Sequence, residues 1–319
     1  MKILSEIAIN LSSEHELTII RRNRLFLYLS KRYREKIILK YLNAKHYDYI
    51  VCCRETAKII SERNLAHDCV IQLTSTGYDG VPIGNLNSEG IKVINIRNIY
   101  TIPISEFVIY GILCFLKRMR SNPNNMKPKL FRNYDLMNEL FQKKALVLSL
   151  GNIGMSIAEK LRAFNVDVDG YDPYVTLENN DIVQNVYQTK EQIFEKLNKY
   201  DLIISTMPLV QDTFGFCDSD FFNNCSSNLI FCNVGRKETV DNDYLYAVLK
   251  KRKIKGAIID EVELLPFKLF NKFRRLSNVL FYPGISTSTQ EAVLRRDKQI
   301  IKNIIDYNEN LLLNNEVEV

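Results

Sequence analysis

Imidazole is scarce in this sequence. Its 319 residues include three histidines, His15, His46 and His67, and none lies beyond residue 67. Chemistry located later in the chain must find its general acid or base among other residue types, or take an imidazole from the first quarter. For each of the three, a surface or hydrogen-bonded core histidine is the commoner reading. Cysteine offers no scaffold either. The seven cysteines contain no Cys-x-x-Cys pair, and only Cys52 and Cys53 are adjacent. They form neither a disulfide framework nor a zinc spacing and read as buried or free thiols, so no metal site is expected. Long apolar runs are also missing. The longest, residues 107–116, has about half the length of a bilayer-spanning helix. The first residues lack the charged, apolar and small-residue segments of a secretory signal. No membrane span is expected, and a cytoplasmic location follows.

What is present fits a globular protein. Hydrophobic residues make up 46% and charged residues 25%, which excludes disordered, fibrous and disulfide-stapled classes. The length suggests two domains. Net charge is +6, with basic residues concentrated at 21–40 and 250–255. Nucleic acid is a reasonable thought for such runs. However, the second run ends an expected helix, where cations complement the dipole, and neither run carries a binding-motif spacing. Both read as solvated faces, the first as a helix covering one edge of the N-terminal domain, and no nucleic-acid partner is expected.

Short β-branched or apolar runs occur at residues 70–73, 92–96, 145–149, 166–171, 202–206, 229–233 and 256–260. Between many of them lie helix-length segments with apolar residues three and four apart, such as Ile153, Ile157, Leu161 and Phe164. Alternating strands and helices imply α/β architecture with parallel sheets covered on both faces. Residues 104–120 form a long helical pattern, followed by a proline- and asparagine-rich connection at 121–129, so a domain boundary is expected near this helix.

Residues 145–158 read as a strand, a glycine turn and a helix start, with Gly151, Asn152, Ile153 and Gly154 at the turn. A second strand ends at Asp172, 18 residues beyond Gly154. This is close to the dinucleotide-binding fingerprint. There, backbone N–H groups at a helix N-terminus hold pyrophosphate, and an acid takes the ribose hydroxyls. Ser149 replaces the first glycine of the pattern. A serine is expected to make this turn only with a negative φ, which would slightly alter the pyrophosphate approach. The carboxylate at Asp172 repels a 2′-phosphate and no arginine follows it, which favours NAD over NADP.

From about residue 70 to 305 the chain resembles the D-2-hydroxyacid dehydrogenases, the family of phosphoglycerate dehydrogenases and glyoxylate/hydroxypyruvate reductases. Several blocks agree in order and spacing: the glycine turn with Gly-Tyr-Asp-Pro at 170–173, Pro-Leu-Val-Gln-Asp-Thr at 208–213, Phe-Cys-Asn-Val-Gly-Arg at 231–236, and Gly-Ala-Ile-Ile-Asp at 256–260. The segment 278–283 and, near the N-terminus, 72–79, 90–95 and 104–106 also fit. The resemblance implies two Rossmann- or flavodoxin-like parallel-sheet domains with an interdomain cleft. Residues 1–103 plus 287–319 would form the substrate domain and 104–286 the NAD domain, in a homodimer joined through the cofactor domains. It implies hydride transfer between nicotinamide and a small 2-oxo or 2-hydroxy acid. Arg236 would grip the substrate carboxylate and carbonyl, and backbone amides at Thr76 and Gly77 would meet the carboxylate. Pro208, Thr213, Val234, Gly235 and Asp260 would join the glycine turn around the cofactor.

The same resemblance leaves two positions empty of their usual chemistry. Where the family has its proton-exchanging histidine this sequence has Gly284, and where it has the supporting glutamate it has Leu265. A positioned general acid or base contributes about 10²–10⁴ in rate, so slow turnover is expected without one. Losing both together is coherent, because a carboxylate left without its imidazole is a costly unpaired charge. Tyr282, Lys237, Glu261 and Glu263 lie close by in sequence. Against a catalytic role, the commoner reading is a packed tyrosine, a solvated lysine and loop-capping glutamates. Two functions remain open: an oxidoreductase with a non-standard proton source, and a catalytically silent NAD(H)-binding regulatory or interaction protein.

Overall fold

The structure, a computed structural model, describes residues 1–7, 16–19, 40–42, 45–117, 136–176, 181–260, 272–313 and 315–317. The basic residues 21–39, His15, the connection at 121–129, and Glu261, Glu263 and Leu265 lie outside them. The chain forms two compact units, Met1–Ile99 with Thr289–Val319, and Tyr100–Ser288.

The first unit opens with β1 (Lys2–Ser5), β2 (Glu16–Ile19) and β3 (Tyr49–Cys52), followed by α1 (Arg54–Arg63), β4 (Val70–Leu73), α2 (Ile83–Ser88) and β5 (Lys92–Ile94). Its sheet has the order β2-β1-β3-β4-β5, and every pairing is parallel. This is the 2-1-3-4-5 order of flavodoxin-like folds. A parallel sheet is covered on both faces, so its strands must be apolar throughout, and β3 and β4 are buried at every position. Gln72 is the exception within β4. Its oxygen accepts from Tyr49 Oη at 3.2 Å and Asn303 Nδ2 at 2.7 Å, and its nitrogen donates to the Leu73 carbonyl at 2.9 Å, so the buried amide is satisfied.

The second unit comprises α3 (Thr101–Leu116), β6 (Lys144–Leu148), α4 (Asn152–Ala163), β7 (Asp167–Tyr171), β8 (Val186–Tyr187), α5 (Lys190–Phe194), β9 (Leu202–Ser205), α6 (Ser219–Asn223), β10 (Ile230–Asn233), α7 (Asn242–Lys250), β11 (Gly256–Asp260) and β12 (Val279–Tyr282). Its seven strands run in the order β12-β11-β10-β9-β6-β7-β8, again all parallel. Side-chain alternation sorts the strands into two cores. Leu202, Ile204, Ile230 and Cys232 pack on one face with α3 and α4, and Ile203 and Phe231 pack on the other with Phe216, Phe221 and Phe222. Helix α3 begins at Thr101, three residues before the expected start. Pro103 falls in its first turn, where no intrahelical N–H bond is needed, so the proline does not set the boundary.

The last helix, α8 (Gln290–Asn308), returns to the first unit and carries Asn303 to Gln72. Beyond it, Glu316 bridges Ile94 in antiparallel fashion and Val317 N–H donates to the Val93 carbonyl at 2.8 Å. The outer edge of β5 is thereby covered. No helix among the described residues is long and apolar enough to cross a membrane.

Candidate functional site

In the second unit, chain order reverses between β6 and β9, which are hydrogen-bonded neighbours. Loops leaving the carboxyl ends of neighbouring strands diverge at such a point and open a crevice. The glycine turn leaves β6, Asp172 follows β7, Thr206–Thr213 follow β9, Val234–Arg236 follow β10, and Asp260 ends β11. All the cofactor positions expected from sequence, and Arg236, therefore lie along one edge of one sheet.

The turn is built by close backbone approach. A β-carbon on Gly154 would sit 2.0 Å from the Ser149 carbonyl oxygen, and one on Gly235 would sit 2.7 Å from that of Met207. Only glycine fits at either place. Above Gly151, in contrast, there is open space: a β-carbon there would meet nothing within 4 Å. Gly151 caps α4 without a side-chain acceptor, and the first N–H to find its helical partner is that of Met155, bonded to the Gly151 carbonyl at 2.9 Å. The first turn thus offers donors, positive dipole and space together, which is what a pyrophosphate needs.

Ser149 departs from expectation. Its φ is +76°, in the left-handed region, rather than negative. The turn from β6 into α4 requires that conformation whatever the residue, and neighbours enforce it. Ser149 N–H donates to the Tyr171 carbonyl at 2.7 Å, and Thr206 Oγ1 donates to the Ser149 carbonyl at 3.0 Å. The glycine geometry is kept and the serine bears the strain.

Asp172 is buried, and both carboxylate oxygens accept backbone bonds, Oδ2 from Leu150 N at 2.9 Å and Oδ1 from Tyr174 N at 3.0 Å. It ties the glycine turn to the end of β7. Each oxygen has a further lone pair for a ribose hydroxyl. Thr213 closes its own loop, donating from Oγ1 to the Pro208 carbonyl at 2.6 Å and accepting from Val210 N at 2.9 Å. Val234 N and Gly235 N both donate to the Ser205 carbonyl at 3.1 Å, and Asn233 Oδ1 accepts from Gly235 N, also at 3.1 Å. The Arg236 carbonyl takes Thr239 Oγ1 at 2.7 Å, so the backbone carrying this half-buried guanidinium is fixed on both sides.

Asp260 accepts from Ile285 N at 2.9 Å and Ser286 N at 3.0 Å, which holds the turn containing Gly284. Gly284 has φ +68°, a conformation that suits glycine. Tyr282 packs edge-on against Phe107, with ring centroids 4.7 Å apart, and Lys237 is exposed.

Thr76 and Gly77 lie in the first unit, in the loop leaving the carboxyl end of β4. His46 and His67 precede β3 and β4 instead, at the opposite edge of that sheet. Both are exposed and pair with Asp48 at 3.8 Å and Glu89 at 2.9 Å respectively. Sequence reasoning missed Thr206, whose hydroxyl also reaches the Leu148 carbonyl at 3.2 Å, and Asn95, whose amide holds the Thr76 carbonyl at 2.7 Å.

Residues 109–286 match the family model of the D-isomer specific 2-hydroxyacid dehydrogenase NAD binding domain. The chain belongs to that family. Its cofactor is NAD. D-3-phosphoglycerate dehydrogenase of Archaeoglobus fulgidus is 27% identical over 258 residues, covering 78% of this chain and 47% of that protein. Glyoxylate reductase of Thermofilum pendens is 26% identical over 241 residues, covering 74% and 70%. The chain spans about half the length of the phosphoglycerate dehydrogenases it matches. Apo D-lactate dehydrogenase from Escherichia coli superposes with a TM-score of 0.78 at 18% identity over 100% of both chains. D-mandelate dehydrogenase of Rhodotorula graminis gives 0.81 at 15% identity, over 100% and 97%. At these identities the likeness establishes the fold: α/β, with two parallel-sheet domains.

Proposed function

We propose that the protein is an NAD-dependent oxidoreductase of a small 2-oxo or 2-hydroxy acid, with Arg236 as carboxylate and carbonyl anchor and a proton source other than the family's histidine. One observation carries the reading: Arg236 directly follows Gly235, whose backbone is pressed against Met207 in the same loop cluster as the glycine turn. A cation held beside a dinucleotide crevice suits an anionic substrate that must lie next to the cofactor. NAD supplies or takes the hydride. The chain's own residues bind and orient: the first turn of α4 holds pyrophosphate, Asp172 the ribose, Pro208, Thr213, Val234, Gly235 and Asp260 shape the remaining wall, and the Thr76 and Gly77 amides receive the carboxylate.

Hydride delivered to a carbonyl leaves an alkoxide that Arg236 stabilises by charge, and water supplies the proton. Without a positioned acid, turnover is slower by about 10²–10⁴ than with one. The second reading, a silent NAD(H)-binding regulatory or interaction protein, draws its support from Gly284, which offers no titratable group at the position where the family carries its histidine. We place the protein in the cytoplasm as a homodimer joined through the NAD domains, with exposed Ile102 and Tyr110 on α3 as apolar surface for that contact.

The test is a titration with NADH, in which glyoxylate, hydroxypyruvate, pyruvate and longer 2-oxo acids are offered while cofactor absorbance is followed. Oxidation of NADH that Arg236→Ala abolishes is the expected result. NADH binding without turnover of any acid favours the silent reading, and absence of NADH binding removes both.

A further inference from the structure

The loop after β4 has an unusual economy of hydrogen bonds. Three successive carbonyls are fixed, two by residues that follow β5 and one by the loop's own serine. The Ser75 carbonyl accepts from Ile96 N at 3.5 Å, the Thr76 carbonyl from Asn95 Nδ2 at 2.7 Å, and the Gly77 carbonyl from Ser75 Oγ at 2.8 Å. Within a trans peptide the C=O and the following N–H point in opposite directions. Fixing these carbonyls therefore turns the N–H groups of Thr76, Gly77 and Tyr78 away from their ties, and no described residue accepts from any of the three. A run of oriented, unspent N–H groups is an anion-binding device.

Asn95 is the centre of this arrangement. It is 3% exposed, its backbone N–H bonds to the Asn315 carbonyl at 3.1 Å, and its side-chain nitrogen is committed to Thr76. Its side-chain oxygen is buried and has no partner among the described residues. A buried acceptor left unpaired costs stability, so an apolar residue of similar size would serve the core better. What Asn95 does that an apolar residue cannot is hold the Thr76 carbonyl.

We propose that Asn95 is the positioning residue of a carboxylate-binding loop: by holding the Thr76 carbonyl, and with Ser75 holding that of Gly77, it presents the N–H groups of Thr76, Gly77 and Tyr78 to the carboxylate of a 2-oxo acid. This rests on the reading of Thr76 and Gly77 as carboxylate contacts given above. Asn95 touches no substrate itself. It fixes the direction of donors whose bonds to an anion are charge-assisted and steeply dependent on alignment.

The experiment is a titration of the NADH-saturated full-length protein with pyruvate and glyoxylate, reading cofactor fluorescence, for wild type, Asn95→Ala, Ser75→Ala, Ser75→Thr and Arg236→Ala. Asn95→Ala and Ser75→Ala are each expected to raise the Kd of the acid about tenfold, the scale of one misaligned charge-assisted bond, while the Kd of NADH is unchanged. Ser75→Thr keeps the hydroxyl and restores wild-type affinity. A general loss of structure would weaken NADH binding as well and would not be rescued by threonine. If Arg236→Ala abolishes acid binding but both alanine variants at 95 and 75 bind as wild type, the positioning role is overturned and the functional reading stands. If wild type binds no acid, or Arg236→Ala binds as wild type, the functional reading falls and the inference with it.

Discussion

Ser149 bears a β-carbon at φ +76°, at the point where β6 turns into α4. Left-handed backbone costs a non-glycine residue about 1–2 kcal/mol, and glycine returns about 0.5–1 kcal/mol of that as chain entropy. Ser149→Gly is therefore expected to stabilise the protein by up to about 1 kcal/mol, seen as a higher urea midpoint at unchanged slope. Gly284 presents the opposite case, a glycine in a left-handed conformation that disfavours any side chain, an imidazole included. Gly284→His combined with Leu265→Glu is expected to raise kcat for the best 2-oxo acid by about 10²–10⁴ while lowering stability by about 1–2 kcal/mol, and steady-state rates together with denaturation curves check both parts. At this scale the sequence was readable where spacing itself encodes geometry, as with Gly151, Gly154 and Asp172. It was silent on Thr206 and Asn95. Their task is to hold a carbonyl distant in the chain, and a lone threonine or asparagine looks the same in sequence whether its side chain meets water or a backbone oxygen.

Among the elements, β7 carries the clearest ionisation coupling. Asp169 is buried at the middle of that strand, against Tyr200 Oη at 2.6 Å, Asn185 Nδ2 at 2.8 Å and Lys199 Nζ at 3.0 Å. Burial alone would push its carboxyl up, but the bonds from Tyr200, Asn185 and Lys199 and the lysine charge outweigh it and hold the group below the usual carboxylate range. A depressed folded value means that this carboxylate stabilises the fold above its unfolded pKa of about 3.9, and that the contribution is lost as pH falls through the folded value. Tyr200→Phe is expected to lower stability by about 1.5–3 kcal/mol at pH 7, and by less in strong acid where the aspartate is protonated in both proteins. Urea midpoints followed from pH 7 down through the folded value of Asp169 check the difference. Strand composition made β4 and β11 legible to the residue, because a short run rich in apolar and β-branched residues defines a doubly covered strand. β8, with two half-buried residues, and β2, which opens on Glu16, carry no comparable pattern, and pairing with β7 and β1 creates them.

For the whole molecule, all seven cysteines are free thiols, as their spacing suggested. Burial is the leading cause that pushes Cys53, Cys69 and Cys225 each up to about 12. At pH 8 these three are expected to resist alkylation in the native protein and to react at ordinary rates in urea, which mass spectrometry after timed iodoacetamide treatment resolves. The α/β class followed from strand and helix alternation, since each parallel strand demands a crossover that the sequence must supply, and the count of two domains followed from length. The covering of β5 was not legible, because Asn315, Glu316 and Val317 meet Asn95, Ile94 and Val93 from the far end of the chain. That closure sets an order of events during synthesis. The ribosome releases every strand of the first sheet before the residues that complete it: Gln72 waits for Asn303, and the edge of β5 waits for Val317. The first sheet is thus completed only after the strands of the second unit have been made, and in the interval its buried amide and open edge are exposed to chaperones.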